Sequence, residues 1–99
     1  MTNWISLEKG TELYEELIRN ESITIGTDIT QISTEKTRRE IIITNTSDTA
    51  IVTISFGAPT GAGIILYPHY IYSNDIAPSF EKIFAKSDTE NTIIQIFER

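Results

Sequence analysis

Groups able to do covalent or acid–base chemistry are few in this chain and badly spaced for it. His69 is the only histidine, set in Tyr67-Pro68-His69-Tyr70-Ile71-Tyr72. A serine triad needs an imidazole beside a nucleophile and a carboxylate to hold the ring. The nearest acid in sequence is Asp75, and no Gly-x-Ser-x-Gly elbow is present to expose a strained serine. One imidazole also falls short of the two or three that a catalytic zinc commonly takes. There is no cysteine, which excludes thiolate metal sites and a disulfide framework. Asp28, Asp48, Asp75 and Asp88 each sit in a cluster of turn residues, where a short carboxylate bonds its own backbone. None belongs to an Asp-x-Asp-x-Asp calcium loop, and no spacing marks out a general acid–base pair. Gly57-Ala58-Pro59-Thr60-Gly61-Ala62-Gly63 lacks the Gly-Lys-Thr/Ser ending of a phosphate cradle and reads as a plain loop. The expectation is a protein without catalytic residues, metal or cofactor.

Binding chemistry is better represented. Tyr67, Tyr70 and Tyr72 surround His69 in the one aromatic cluster. With Tyr70 and Tyr72 on one strand face, these rings could stack on a sugar or a protein; equally, they could close one end of a hydrophobic core. The net charge is −6, from 14 acidic and 8 basic residues, and such a balance repels phosphate backbones. Lys36, Arg38 and Arg39 form the only basic cluster, and Glu35 and Glu40 flank it. It reads as a solvated strand start, so no nucleic-acid partner is expected. No apolar run approaches the roughly 20 residues of a membrane-spanning helix. The N-terminal residues lack the basic and apolar regions of a secretory signal, so the Asn20-Glu21-Ser22 and Asn45-Thr46-Ser47 glycosylation patterns read as chance.

The elements that must position these groups are mostly strands. Nineteen isoleucines and fourteen threonines in 99 residues are β-branched side chains suited to a pleated surface. Residues 1–21 differ: Leu13, Tyr14, Leu17 and Ile18 make one apolar stripe at helical spacing. The pattern predicts an amphipathic helix over 11–19, which either packs on the domain's own sheet or docks on a partner, with Trp4 as a further anchor. From Ser22 the period changes to two. Ile29 and Ile32 break strict alternation and predict a bulge or a short irregular strand. The runs 38–44 and 50–56 flank the polar turn Asn45-Thr46-Ser47-Asp48 and predict a β-hairpin. Short strands follow at 64–67, 70–72, 80–86 and 92–98. Seven or eight strands at this spacing predict an all-β antiparallel sandwich, jelly-roll or immunoglobulin-like, over residues 22–99, preceded by an arm and helix over 1–21.

The order of these elements resembles that of small structural proteins of tailed-phage and viral particles. The likeness rests on Arg38-Arg39-Glu40-Ile41-Ile42-Ile43-Thr44-Asn45-Thr46-Ser47, where a basic residue leads an apolar strand into Asn and a small polar turn. After the strand 50–56 and the Gly/Ala loop come Gly63-Ile64-Ile65-Leu66-Tyr67-Pro68, then Ile83-Phe84-Ala85-Lys86-Ser87-Asp88, then a closing strand ending in Glu98. That pattern often carries Gly after the Leu-x-Pro, where this chain has His69. The resemblance implies a non-enzymatic virion component that decorates a capsid or joins head, neck or fibre subunits. It also implies symmetric homo-oligomers, other virion proteins as partners, and location in the virion after synthesis in a host cytoplasm. The alternative function is a host-surface glycan module built on Tyr67, Tyr70 and Tyr72.

Overall fold

The computed structural model describes residues 18–99. The helix expected over 11–19 therefore falls almost wholly outside the described residues, as do Trp4, Leu13, Tyr14 and Leu17. The described residues are all-β. They form β1 (Arg19–Ile25), β2 (Thr30–Ser33), β3 (Ile41–Asn45), β4 (Val52–Phe56), β5 (Ile64–Leu66), β6 (Ile71–Asn74), β7 (Ile83–Ser87) and β8 (Thr92–Glu98). Two four-stranded sheets result, ordered β1-β8-β3-β6 and β2-β7-β4-β5, with every pairing antiparallel. The pairings are nested: β1 with β8, β2 with β7, β3 with β6 and β4 with β5. A long hairpin of eight strands, rolled so that its halves face each other, gives this arrangement.

Alternation decides which side chains meet between the sheets. Ile25, Ile41, Ile43, Ile94 and Ile96 of the first sheet pack against Ile32, Val52, Ile54, Leu66, Ile83 and Ala85 of the second. Isoleucine suits this interface because its branched side chain is stiff at χ1, so ordering it costs little. The irregularity read from Ile29 and Ile32 is present as a register shift between Gln31 and Ser33, where β2 pairs with β7.

Three expectations need correction. First, the strands 41–45 and 52–56 do not form a hairpin: β3 pairs with β6 and β8, β4 with β5 and β7, and the two lie in opposite sheets. Period-two patterning identifies a buried face but not the neighbour along the hydrogen-bonding direction. The connection between β3 and β4 is braced by Asn45, whose amide is fully buried. Its Nδ2 donates to the carbonyls of Ala50 (2.8 Å), Leu66 (3.0 Å) and Tyr67 (3.2 Å), and its Oδ1 accepts from the Ser47 amide (3.0 Å). These bonds hold segment 46–51 as an arch across the core. Second, β1 begins at Arg19 rather than Ser22. Third, β6 runs on through Ser73 and Asn74, which compose like a turn, while β7 begins only at Ile83. Ser73 and Asn74 are held by the ladder to Ile42 and Ile41, which overrides their own preference for turns.

Gly63 leads into β5 where no side chain fits. A Cβ there would lie 2.1 Å from the Ile54 carbonyl oxygen and 3.0 Å from its carbon. Both are ladder backbone and cannot swing aside. Gly63→Ala is expected to displace β5 and cost on the order of 1–3 kcal/mol, read as a lower urea midpoint. An unchanged midpoint would show that β5 is free to shift.

Candidate interaction surfaces

His69 sits at a turn. The Tyr70 amide donates to the Tyr67 carbonyl (2.9 Å), Pro68 occupies the second position and His69 the third, with φ of 65°. That is the left-handed conformation usually given to glycine in a type II turn. Nε2 lies 2.7 Å from Asp48 Oδ1, not near Asp75, and both side chains are largely exposed. No nucleophile completes a triad with them among their described hydrogen bonds. Exposed pairs of this kind contribute about 0–1 kcal/mol, so the backbone conformation matters more than the imidazole. His69→Gly should alter stability by less than about 1 kcal/mol, whereas His69→Val, β-branched at positive φ, should cost about 1–2 kcal/mol. Equal thermal midpoints for the two variants would contradict this.

The three tyrosines do not make one platform. Tyr67 and Tyr70 meet edge-to-face, centroids 5.3 Å apart, and are 48% and 56% exposed. Tyr70 precedes β6 and does not share a strand face with Tyr72. Tyr72 is half-buried against the core, its ring 5.7 Å from that of Phe56. The aromatic cluster thus divides into one exposed pair and one core residue.

The basic cluster is only in part the solvated strand start its sequence suggests: Arg39 is exposed, whereas Lys36 is half-buried and Arg38 enclosed. Arg38 is buried, and its Nε donates to Glu98 Oε2 at 2.7 Å. Its Nη1 donates to the carbonyls of Ser79 and Glu81 (2.8 and 3.1 Å), and its Nη2 to Thr34 O (2.7 Å) and Ser33 Oγ (2.8 Å). Glu98 has no exposed surface. Its Oε1 accepts from Lys36 Nζ (2.6 Å) and Arg19 Nη1 (3.1 Å), and Ser33 Oγ lies within 2.9 Å of both carboxylate oxygens. Burial alone would push this carboxyl up, but the bonds from Arg38, Lys36, Ser33 and Arg19 outweigh it and hold the pKa down to about 2. The cluster closes one end of the sandwich by tying β8 to β1, β2 and the 34–40 segment. An open depression of about 330 Å³ beside it is lined by Arg19, Gln31, Ser33, Thr34 and Lys36. Among the described residues no buried side-chain nitrogen or oxygen lacks a partner, so the donors of Arg38 are spent on the fold.

The outward face of the first sheet is the surface that the candidate residues did not anticipate. One row across all four strands is Ser22, Gln95, Thr44 and Ile71. The next is Asn20, Phe97, Ile42 and Ser73, and Thr24 stands beside Ile93. None of these residues is charged, in a chain of which 22% is charged. Gln95 bridges β1 and β8, accepting from Ser22 Oγ (2.8 Å) and donating to Asn20 Oδ1 (3.0 Å). Ile71 and Ile93 are 62% and 49% exposed. The second sheet differs. It carries Lys86 beside Thr53 on its outward side, and a Cβ on Gly61 would lie 3.5 Å from both Lys86 Nζ and the Ile29 side chain. Its 57–63 loop therefore reaches over part of that face. Of the docking residues expected near the N-terminus, Ile18 alone is described, half-buried directly before β1. No family model, curated protein or solved structure matches this chain.

Proposed function

We propose that this chain is a non-enzymatic structural subunit of a virion, decorating a capsid or joining head, neck or fibre components. The observation that carries the reading is the nested strand pairing, which is the winding of a jelly roll, an architecture used by viral capsid domains and also by lectins and cupins. Fold alone does not assign function, so the use made of polar groups adds to it. The buried Glu98–Arg38 cluster and the buried Asn45 amide serve to brace strands and arches. The order of turns seen in the sequence, with its likeness to small virion proteins, supports the same class, and homo-oligomers with other virion proteins as partners follow from it. The test is to purify particles from the source of this chain and measure its copy number by mass spectrometry. Many copies per particle are expected, and its absence from intact particles would overturn the reading.

A second reading keeps one specific observation. The exposed Tyr67–Tyr70 pair offers two ring surfaces at the β5–β6 turn, and a lectin-like role would place a host-surface sugar against them. Tyr72 is not available for it. Titration with oligosaccharides, followed by tyrosine fluorescence, should then show saturation that Tyr70→Ala abolishes.

A further inference from the structure

We infer that the outward face of the β1-β8-β3-β6 sheet is a self-association surface, on which a second copy of this chain packs about a two-fold axis. The inference rests on the reading of the chain as an assembly subunit, and it names the surface and its occupant. On a two-fold interface each residue near the axis meets its own twin, so any charge there faces a like charge. Each copy carries a net charge of −6, and two such bodies approach with least cost where neither presents charge. The rows through Thr44 and Ile42 meet that requirement over all four strands, and the charges that bound them at one end, Glu40 and Arg99, neutralise each other in an ion pair at 2.9 Å. A foreign partner would instead be expected to exploit the acidic surface by complementarity.

The neighbouring edges favour the same face. β1 carries Arg19 and Glu21, β2 is bulged and β5 has three residues, whereas β6 presents Ile71, Tyr72, Ser73 and Asn74 with neither charge nor bulge. An edge without such protection continues the uncharged face rather than bounding it with repulsion. Four strands about 4.8 Å apart and five residues at about 3.3 Å present roughly 300 Å² in projection. Two such faces together bury roughly 600 Å², below the size of stable specific interfaces, so the contact is weak and transient. Association is therefore to be read at high protein concentration, or within a particle where neighbours are held close.

The test is sedimentation velocity of the full-length chain from about 10 µM to 1 mM, across the range in which small interfaces dissociate. The wild type should pass from monomer to dimer. Thr44→Glu and Thr44→Lys should each weaken dimerisation at least tenfold with an unchanged thermal transition, and an equimolar mixture of the two should recover it, because opposite charges then face across the axis. Thr53→Glu, on the other sheet, should dimerise as the wild type does. A wild type monomeric throughout, or a Thr44→Glu chain that dimerises normally, would overturn the proposal. Association that survives Thr44→Glu but is lost in Leu13→Ser with Leu17→Ser would overturn it in favour of the N-terminal segment. None of these outcomes alters the copy number found in particles, so failure of this surface and failure of the virion reading remain distinguishable.

Discussion

Replacing Glu98 by Gln is expected to cost about 3–5 kcal/mol, the usual effect of leaving a buried ion without its partner. The carboxylate is the shared acceptor of Arg38, Lys36, Arg19 and Ser33, and the substitution removes the charge while keeping the shape. Arg38 cannot escape to water, because its other donors are committed to the carbonyls of Thr34, Ser79 and Glu81. For a domain of this size such a loss lowers the thermal midpoint by on the order of 20 °C. Removing both buried partners, as Arg38→Met with Glu98→Leu, should cost less than Glu98→Gln alone, since no orphaned charge remains buried. A loss under about 1 kcal/mol for Glu98→Gln would mean that solvent reaches the cluster.

The same cluster sets the acid sensitivity of the fold. The Glu98 carboxyl falls from an ordinary value of 4.5 to about 2 in the folded chain. A depressed carboxyl contributes stability that is fully present above its unfolded pKa and is lost as pH falls through the folded one. Its contribution is therefore complete above about pH 4.5 and fades towards pH 2. At about 1.4 kcal/mol per pKa unit, it amounts to about 3 kcal/mol. Urea midpoints across this range should fall more steeply for the wild type than for Glu98→Gln, and parallel curves would contradict the assignment.

What sequence could disclose follows from what period-two patterning encodes. Alternation groups Ile41 with Ile43 and Val52 with Ile54 on single strand faces, which the core buries along with Ile94 and Ile96 of β8, and it gave the all-β class. The same parity places Asn45 with Ile43, and Glu98 with Ile96, on the inward side. Reading these two as turn and terminus residues hid the most tightly bonded polar groups of the interior. The signal was available: a charged or amide side chain in phase with a run of buried isoleucines must find partners or unfold the strand. Partner identity was not available, because Arg38 and Glu98 are 60 residues apart and nothing local links them. The uncharged sheet face was hidden for a related reason. Its residues come from four segments of the chain and align only once the register is known.

Asn45→Ala should cost about 2 kcal/mol, because the buried amide holds the arch between the sheets. The truncation strands the Ala50 carbonyl in the interior, while Leu66 O stays in the ladder opposite Val52 and Tyr67 O keeps the Tyr70 amide. Each buried group left unpaired costs about 1–3 kcal/mol. Asn45→Asp separates hydrogen bonding from size. A carboxylate would face three carbonyl oxygens, so at neutral pH the variant should be less stable than Asn45→Ala. On acidification its carboxyl protonates and regains one donor, and the gap should narrow. If Asn45→Ala lost less than about 1 kcal/mol, the arch would be held by its other bonds. Those run from the Ser47 hydroxyl, which accepts from the Ala50 amide at 2.9 Å, and between Ile51 and Asp88 at 3.0 Å. The second lies at the surface, where water competes for the donor. The first is part-buried but spans only residues 47–50, so neither replaces an amide that ties the arch to β5. Asn45 thus braces the connection that carries β4 to the opposite sheet, where the ladders to β5 and β7 hold it.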